Sequence, residues 1–170
     1  AGIQARNRVV DIGCGMGGSS IHLARHLNCD VTGVTISPFQ RRYAACSSVL
    51  AGTSGGTTFV CQDAEKVAFP ESSFDVAWSV ECTEHLFDKP AFFKKMATWL
   101  KPGGKVAICA WLAGDDPLTD AQHKLVFDVC EGFFCPSLGS EKDYANWDNL
   151  CYVPPVAFVN TLLQKSTKSA

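Results

Sequence analysis

A glycine-rich run near the start of the chain is the clearest sign of chemistry in this sequence. The run VVDIGCGMGG occupies positions 9–18 and places Gly13, Gly15 and Gly17 at alternate positions after two valines. The valines are typical of a buried strand, whereas glycines let a backbone turn tightly and approach a ligand closely. A helix that begins directly afterwards would point its free N–H groups at that turn. The pattern therefore indicates a nucleotide-type binding edge at the carboxyl end of a first strand.

The spacing of this loop separates it from two other glycine loops. A phosphate-binding P-loop needs Lys and Ser/Thr directly after its last glycine, and here Gly18 is followed by Ser19. The dinucleotide pattern G-x-G-x-x-G fits Gly13, Gly15 and Gly18, but it expects an acidic residue about 20 positions later. The next strand ends in Thr35 instead. A nicotinamide dinucleotide therefore stays open as the weaker alternative.

A second group of polar residues follows the apolar run at 74–80. Glu81, Glu84 and His85 place three titratable side chains just beyond a buried strand, where open α/β sheets usually carry their chemistry. Because free imidazole titrates near neutrality, His85 is the candidate general base; a histidine that fixes the loop by hydrogen bonds is the alternative. Glu84 is the second catalytic candidate, or else the N-cap partner of the following turn.

Composition and charge limit the classes of protein. The chain has 170 residues, 46% of them hydrophobic and 19% charged, which is enough apolar surface for the core of one domain. A net charge of −2 gives no reason to expect binding of nucleic acid or of an acidic membrane surface. No apolar run reaches the length of a membrane span, and the first residues lack the apolar core of a signal peptide. A cytoplasmic location is expected from the cysteines, which are predicted to be reduced.

The nine cysteines predict buried, reduced thiols rather than disulfides or a metal site. Several fall inside apolar runs, where cysteine is a small hydrophobic side chain: Cys61, Cys82, Cys109 and Cys130. No C-x-x-C pair occurs. His22 and His26 lie four positions apart on a predicted helix, but no carboxylate or thiol follows at a matching spacing. We therefore predict no metal.

Strand and helix signals alternate along the chain, which predicts a parallel sheet with right-handed crossovers. The predicted strands are 9–12, 30–34, 57–61, 74–80 and 105–112. The predicted helices are 18–28, 38 to about 52, 89–101 and 120–134. One face of the second helix carries Phe39, Tyr43, Cys46 and Leu50. The last helix is expected to turn inward Leu125, Val126, Val129 and Phe133.

Together these motifs resemble class I methyltransferases that use S-adenosylmethionine, over the stretch from about Val9 to Trp111. VVDIGCGMGG is similar to the first motif of that family. GVTISPFQ at 33–40 is similar to the second motif of a branch that includes tocopherol C-methyltransferases, sterol methyltransferases and cyclopropane fatty-acid synthases. WSVECTEHL at 78–86 is similar to the stretch that lines the methyl-transfer point. The segment 115–147 resembles the region after the fifth strand in tocopherol-methyltransferase-like members.

The resemblance implies a Rossmann-like α/β fold of about five parallel strands in the order 3-2-1-4-5, with helices on both faces. It implies one domain over residues 1–170, with a core at 8–135 and an irregular segment at 136–170. Against the family pattern, the N-terminal lid and the C-terminal hairpin are expected to be missing or reduced. A second copy or a partner chain is then expected to cover the open cleft.

The resemblance also implies which residues of the first loop hold the cofactor. Asp11 would accept from the ammonium group of S-adenosylmethionine or order a water beside it; an aspartate that stabilises the turn is the alternative. Gly13, Cys14 and Gly15 would lay their backbone against the methionine and ribose parts, where a Cβ on either glycine would obstruct the approach.

The remaining cofactor contacts are implied at the ends of the following strands. Thr35 and Gln40 would hydrogen-bond the ribose hydroxyls, with Ile36 between them as a further contact. An ordinary strand-end hydroxyl and a solvated glutamine are the alternatives. The resemblance also implies three contacts further along the chain. Asp63 would accept a hydrogen bond from the adenine amino group, and the backbone N–H of Ala64 would donate to the adenine ring. The backbone of Ser79 would face the methionine part. A solvated aspartate is the alternative for Asp63.

The function implied is S-adenosylmethionine-dependent methyl transfer to carbon, nitrogen or oxygen of a small or lipid-like acceptor. Transfer from a sulfonium is an in-line displacement, so alignment and desolvation supply much of the acceleration. A base is needed only when the acceptor must lose a proton. The alternative is a truncated, catalytically silent module of the same fold that binds the cofactor or a partner chain.

Overall fold

The computed structural model describes residues 2–114 and 117–149, and its five strands form one parallel sheet. The strand order is β3-β2-β1-β4-β5, which confirms the order expected from the sequence. The strands are β1 Arg8–Ile12, β2 Asp30–Thr35, β3 Thr57–Cys61, β4 Phe74–Val80 and β5 Leu100–Cys109. The helices are α1 Gly18–Leu27, α2 Pro38–Leu50, α3 Lys89–Trp99, α4 Asp120–Phe133 and α5 Glu141–Asn149.

Helices cover both faces of this sheet because successive strand residues point to opposite sides. On one face, Val9 belongs to a buried cluster with Leu23 of α1. On the other face, Val10 belongs to a larger cluster with Phe93 of α3. The two neighbouring valines are both fully buried, at 0% exposure. This arrangement of helices on both faces confirms the layered fold.

The parallel register brings the carboxyl ends of the strands to one edge. Ile12 pairs with Ser79 of β4, and Thr35 pairs with Cys61 of β3. The glycine loop, the segment after β2 and the segment after β4 therefore begin side by side. This edge is where a sheet of this kind binds ligands.

Helix α2 packs through small residues, which corrects the face expected from its large side chains. Ala44 is buried against Cys14 and Phe59, whereas Phe39 is 67% exposed and Leu50 is 89% exposed. Small side chains let the helix approach the sheet closely, so the larger ones lie on the outer side. Tyr43 and Cys46 are exposed as well.

Helix α4 does not bury the face that was expected to turn inward. Leu125 and Phe133 are 58% and 55% exposed, and Val126 and Val129 are only half-buried. A helical apolar pattern identifies a face to cover but not the element that covers it. Within residues 2–114 and 117–149 that face stays largely open.

The fifth strand begins earlier and ends earlier than predicted. Leu100 is already extended (φ −80°, ψ 140°) and pairs with Phe74, so α3 ends at Trp99. The register with β4 then shifts before Lys105, and Gly103 adopts a φ of +76°. The Pro-Gly-Gly sequence at 102–104 thus forms an irregularity inside the strand and does not separate it from α3. The strand ends at Cys109 rather than at residue 112.

The segment after residue 135 is not irregular throughout, which corrects the boundary of the core. Helix α5 occupies Glu141–Asn149, and its Tyr144 is 1% exposed within the main core cluster. Its ring meets Phe93 of α3 edge to face, with 5.8 Å between the ring centroids. A short helix with few apolar residues gives a weak periodic signal, so the sequence alone did not reveal it. Residues 150–170 lie outside the described part of the chain.

Burial of the cysteines differs from the expected pattern. In the described part of the chain all eight cysteines are free, and the buried ones are Cys14, Cys29 and Cys135. Cys61 is exposed because β3 is an edge strand. The other three that were expected in the core are only half-buried: Cys82, Cys109 and Cys130.

Candidate functional site

The glycines of the first loop are needed for two different reasons. Gly13 and Gly15 have φ angles of +75° and +54°, a region that L side chains rarely adopt. A Cβ on Gly13 would lie 2.4 Å from Sγ of Cys82, so protein atoms already fill that space. A Cβ on Gly15 would meet nothing within 4 Å. The loop therefore packs at Gly13 against Cys82, in the segment after β4, and leaves room for another molecule at Gly15.

Cys14 turns its side chain away from that free space. Its side chain packs against Ala44 and Phe59. Its backbone N–H donates to the carbonyl of Val34 at 2.9 Å. Burial raises the pKa of the Cys14 thiol to about 12. The thiol therefore stays protonated near neutrality, and any ligand contact made by this residue comes from its backbone.

Asp11 is a buried carboxyl group held by the first turn of α1. It is 2% exposed, and its Oδ2 accepts a hydrogen bond from Oγ of Ser20 at 2.6 Å. Burial raises the pKa of Asp11 from 3.8 to about 6, although the bond from Ser20 works in the opposite direction. The carboxyl thus fixes the glycine loop to the helix that follows. Its contact with a ligand stays a prediction.

The segment after β2 brings Thr35 and Gln40 together. Thr35 Oγ1 donates to Oε1 of Gln40 at 2.6 Å, which leaves the amide NH₂ of the glutamine for another acceptor. Ser37 caps α2 by accepting from the Gln40 backbone N–H at 3.3 Å, and Pro38 occupies the first turn. Ile36 is 72% exposed beside them. The arrangement offers a neutral hydrogen-bonding pair and an apolar side chain.

Asp63 mainly organises its own loop. Its Oδ1 accepts from the backbone N–H of Glu65 at 2.9 Å, and its Oδ2 lies 3.4 Å from Nζ of Lys66. The carbonyl of the next residue, Ala64, accepts from Nζ of Lys95 at 3.2 Å. These bonds fit the solvated alternative as well as the expected adenine contact, so that contact stays a prediction.

Ser79 joins the ends of the two central strands. Its Oγ donates to the carbonyl of Ile12 at 3.1 Å, and the residue is 4% exposed. The side chain is therefore used within the sheet. Only the Ser79 backbone is left for the predicted contact.

The polar group after β4 lies on a three-residue 3₁₀ helix, Thr83–His85, which we call the 83–85 turn. Its Glu84 is 2% exposed, and Oε1 accepts from the backbone N–H of Trp111 at 2.6 Å. Oε2 is buried without a hydrogen-bond partner among the described residues. Glu84 therefore ties the turn to the segment just after β5, which gives it a structural contact in addition to the predicted catalytic role.

His85 is the exposed member of the 83–85 turn. Its Nδ1 lies 3.7 Å from Sγ of Cys135, and its backbone N–H donates to the carbonyl of Cys82 at 3.0 Å. An exposed imidazole can reach a proton on a bound molecule, whereas Glu84 cannot do so without a rearrangement. The predicted base role of His85 is compatible with this position and stays a prediction.

Sequence reasoning missed two residues that support the 83–85 turn. Lys89 is 2% exposed, and its Nζ donates to the carbonyl of Leu86 at 2.8 Å. The Tyr144 hydroxyl lies 2.7 Å from Oγ1 of Thr83, across 61 positions in the chain. The sequence Lys89-Pro90 is typical of any helix start, so it did not mark the lysine. The pair of Thr83 and Tyr144 is too far apart in the chain to give a local signal.

Comparison with known proteins connects this site with a family. Residues 10–108, more than half of the chain, match the methyltransferase domain family. The tocopherol O-methyltransferase of Arabidopsis thaliana is 33% identical over 144 residues, which are 82% of this chain and 41% of that protein. The 2-methyl-6-phytyl-1,4-hydroquinone methyltransferase of Synechocystis is 36% identical over 140 residues, 81% of this chain and 43% of that protein. The chain thus spans less than half the length of these relatives.

Solved structures show the same fold. Phosphoethanolamine N-methyltransferase 2 of Haemonchus contortus, solved with S-adenosyl-L-methionine, gives a TM-score of 0.74 at 25% identity, over 88% of this chain and 33% of that one. Geranyl diphosphate C-methyltransferase of Streptomyces coelicolor gives 0.75 at 23% identity, over 85% of this chain and 54% of that one. The matched residues include the glycines of the loop, all but the first two residues of β1, the whole of β4 and the 83–85 turn. The chain belongs to the methyltransferase domain family.

Proposed function

We propose that this chain forms the cofactor-binding domain of an S-adenosylmethionine-dependent methyltransferase. The observation that carries the proposal is the open space at Gly15. The backbone bond from Cys14 to Val34 brings the loop to the end of β2, where the neutral Thr35–Gln40 pair follows. S-adenosylmethionine supplies an activated methyl group when it is bound. A neutral pair can hydrogen-bond ribose hydroxyls. A dinucleotide site would have an acidic residue where Thr35 stands. The relatives named as methyltransferases favour this function over a silent binding module.

The residues of this chain would hold the cofactor and shield the reacting atoms. The backbone from Gly13 to Gly15 would cradle it, and Gln40 would use its free amide N–H groups on the ribose. The 83–85 turn would face the acceptor at the end of β4. Because methyl transfer is an in-line displacement, holding both molecules in line is the main task of these groups. Asp63, Ala64 and Ser79 retain their predicted cofactor contacts.

For the acceptor, we propose a small or lipid-like molecule, with prenylated phenols as the first class to test. The support is that two relatives are named for tocopherol and for a phytyl hydroquinone. Other relatives are named for phosphoethanolamine, so the atom that receives the methyl is left open among carbon, nitrogen and oxygen.

A cytoplasmic location and a covering partner chain also stay predictions. None of the helices in the described ranges is long and apolar enough to cross a membrane.

Two measurements test the proposal. Calorimetric titration with S-adenosylhomocysteine should show binding at one site, and titration with NAD should show none. Methyl transfer from labelled S-adenosylmethionine is then followed with a panel of prenylated phenols, sterols and ethanolamine phosphate. Binding without transfer to any acceptor would favour the silent module, and binding of NAD alone would overturn the proposal.

Replacing the exposed histidine tests whether the reaction uses a base. In His85→Ala, methyl transfer to a phenolic acceptor should fall by about 100-fold or more, since general bases contribute that much. Affinity for S-adenosylhomocysteine should not change, because the ring is expected to face the acceptor. His26→Ala removes an exposed histidine from α1 and serves as the control. An unaltered rate in His85→Ala would leave His85 with a structural role only.

A further inference from the structure

The 83–85 turn has few local contacts of its own. It is only three residues long, and its N-cap residue, Cys82, makes no side-chain capping bond. Two positions before the turn, Glu81 has a φ of +49°. A residue other than glycine pays for that backbone conformation and keeps it only where its surroundings enforce it. The turn therefore depends on anchors from elsewhere in the fold.

Tyr144 of α5 supplies the most deeply buried of these anchors. Its hydroxyl and Oγ1 of Thr83 are 2.7 Å apart, and both residues are 1% exposed. Burial raises the pKa of Tyr144, so its hydroxyl stays protonated. The ring packs against Phe93 and Trp147, with centroids 5.8 Å and 4.9 Å away. A hydrogen bond in such dry surroundings is strong, and an unpaired group there is costly.

The segment that leads into α5 holds the same turn at a second point. Nζ of Lys89 donates to Oγ of Ser137 at 3.0 Å and to the carbonyls of Glu84 and Leu86 at 3.3 Å and 2.8 Å. The lysine thus joins the segment before α5 to the backbone on both sides of His85. Two independent contacts from the 135–144 region therefore converge on one short turn.

We propose that Tyr144 is a positioning residue for methyl transfer: through Thr83 it fixes the turn that carries Glu84 and His85. The inference rests on the proposed function and assigns a task to a helix outside the matched family region. Tyr144 would set the orientation of groups that face the acceptor without touching either substrate. Its loss should therefore lower turnover and leave cofactor binding unchanged.

The test compares variants that remove one hydroxyl from the pair. Tyr144→Phe keeps the ring, and Thr83→Val keeps the volume; each should lower kcat about tenfold at unchanged affinity for S-adenosylhomocysteine. The double variant should be no slower than either single one, because both remove the same bond. Thr83→Ser restores a hydroxyl and should recover most of the rate. The stability control is Thr53→Val, which removes a buried bond from Thr53 to the Ser48 carbonyl at the end of α2.

Hydrogen exchange provides a readout that needs no acceptor. The amides of His85 and Leu86 donate to the carbonyls of Cys82 and Thr83, and they should exchange at least several-fold faster in Tyr144→Phe. Unchanged exchange at these amides, or an unchanged kcat, would overturn the proposal. Failure of the proposed function gives a different result, since no variant would then bind S-adenosylhomocysteine although the exchange rates could still differ.

Discussion

The Gly15→Val variant should fold and yet lose affinity for S-adenosylhomocysteine by about 100-fold or more, since a side chain would occupy the space that the ligand needs. A Cβ at this position meets no protein atom within 4 Å, so the substitution creates no clash inside the protein. The φ of +54° adds backbone strain, which should lower stability by about 1–2 kcal/mol. Calorimetric titration and urea unfolding measure the two effects separately.

The control for this variant is Gly52→Val, at the end of α2. Gly52 also has a positive φ, +69°, and open space around its Cβ position, so it carries the same kind of strain. It should lose similar stability and bind S-adenosylhomocysteine normally. Equal affinities in Gly15→Val and the unchanged protein would show that the ligand does not lie over the loop. Gly13→Val is unsuitable for this purpose because its Cβ would overlap Cys82.

Asp11→Asn should remove the pH dependence that this buried carboxyl imposes on stability. The pKa of Asp11 is raised from 3.8 to about 6, so the folded protein holds a proton that the unfolded chain releases. Its contribution to stability is complete below pH 3.8 and is lost as the pH rises through 6. Relative to Asp11→Asn, the unchanged protein should lose about 2 kcal/mol of unfolding free energy between pH 4.5 and 8.

Urea unfolding across this pH range measures the difference. The asparagine carbonyl can still accept from Ser20, so the variant should keep the loop closed while losing the charge. Asp75→Asn is the control, and its effect on the pH dependence of stability should have the opposite sign. Burial alone would raise the pKa of Asp75, but hydrogen bonds from Lys101 and Arg8 outweigh it and lower that pKa. Its stabilising contribution is lost as the pH falls. Parallel pH profiles for Asp11→Asn and the unchanged protein would refute the raised pKa.

Local sequence signals predicted the parts of the site that depend on local geometry. The glycine loop, the start of α2 at Pro38 and the strand ends near Thr35 and Ser79 all lie where the sequence predicted them. Each depends on backbone conformation or on alternation within a few residues. The regular alternation of strands and helices likewise predicted a parallel sheet, whereas the strand order came from the family resemblance.

Contacts between distant residues could not be predicted in this way. No local pattern shows that Glu84 would accept from Trp111 or that Tyr144 would reach Thr83. The apolar face of α4 was a sound periodic signal, but periodicity does not say whether another element covers it. At β5, Leu100 continued directly into the strand because the sheet offered it a partner in Phe74. Tertiary pairing there outweighed the turn-forming sequence.

The distribution of thiols around the loop has a practical consequence for labelling experiments. Burial raises the pKa of both Cys14 and Cys82 to about 12, so almost no thiolate is present there to react with a maleimide. Cys46 and Cys61 are exposed on α2 and β3. A fluorophore attached at Cys46 would sit on the helix that carries Gln40, and it would report on events at the loop without modifying the loop itself.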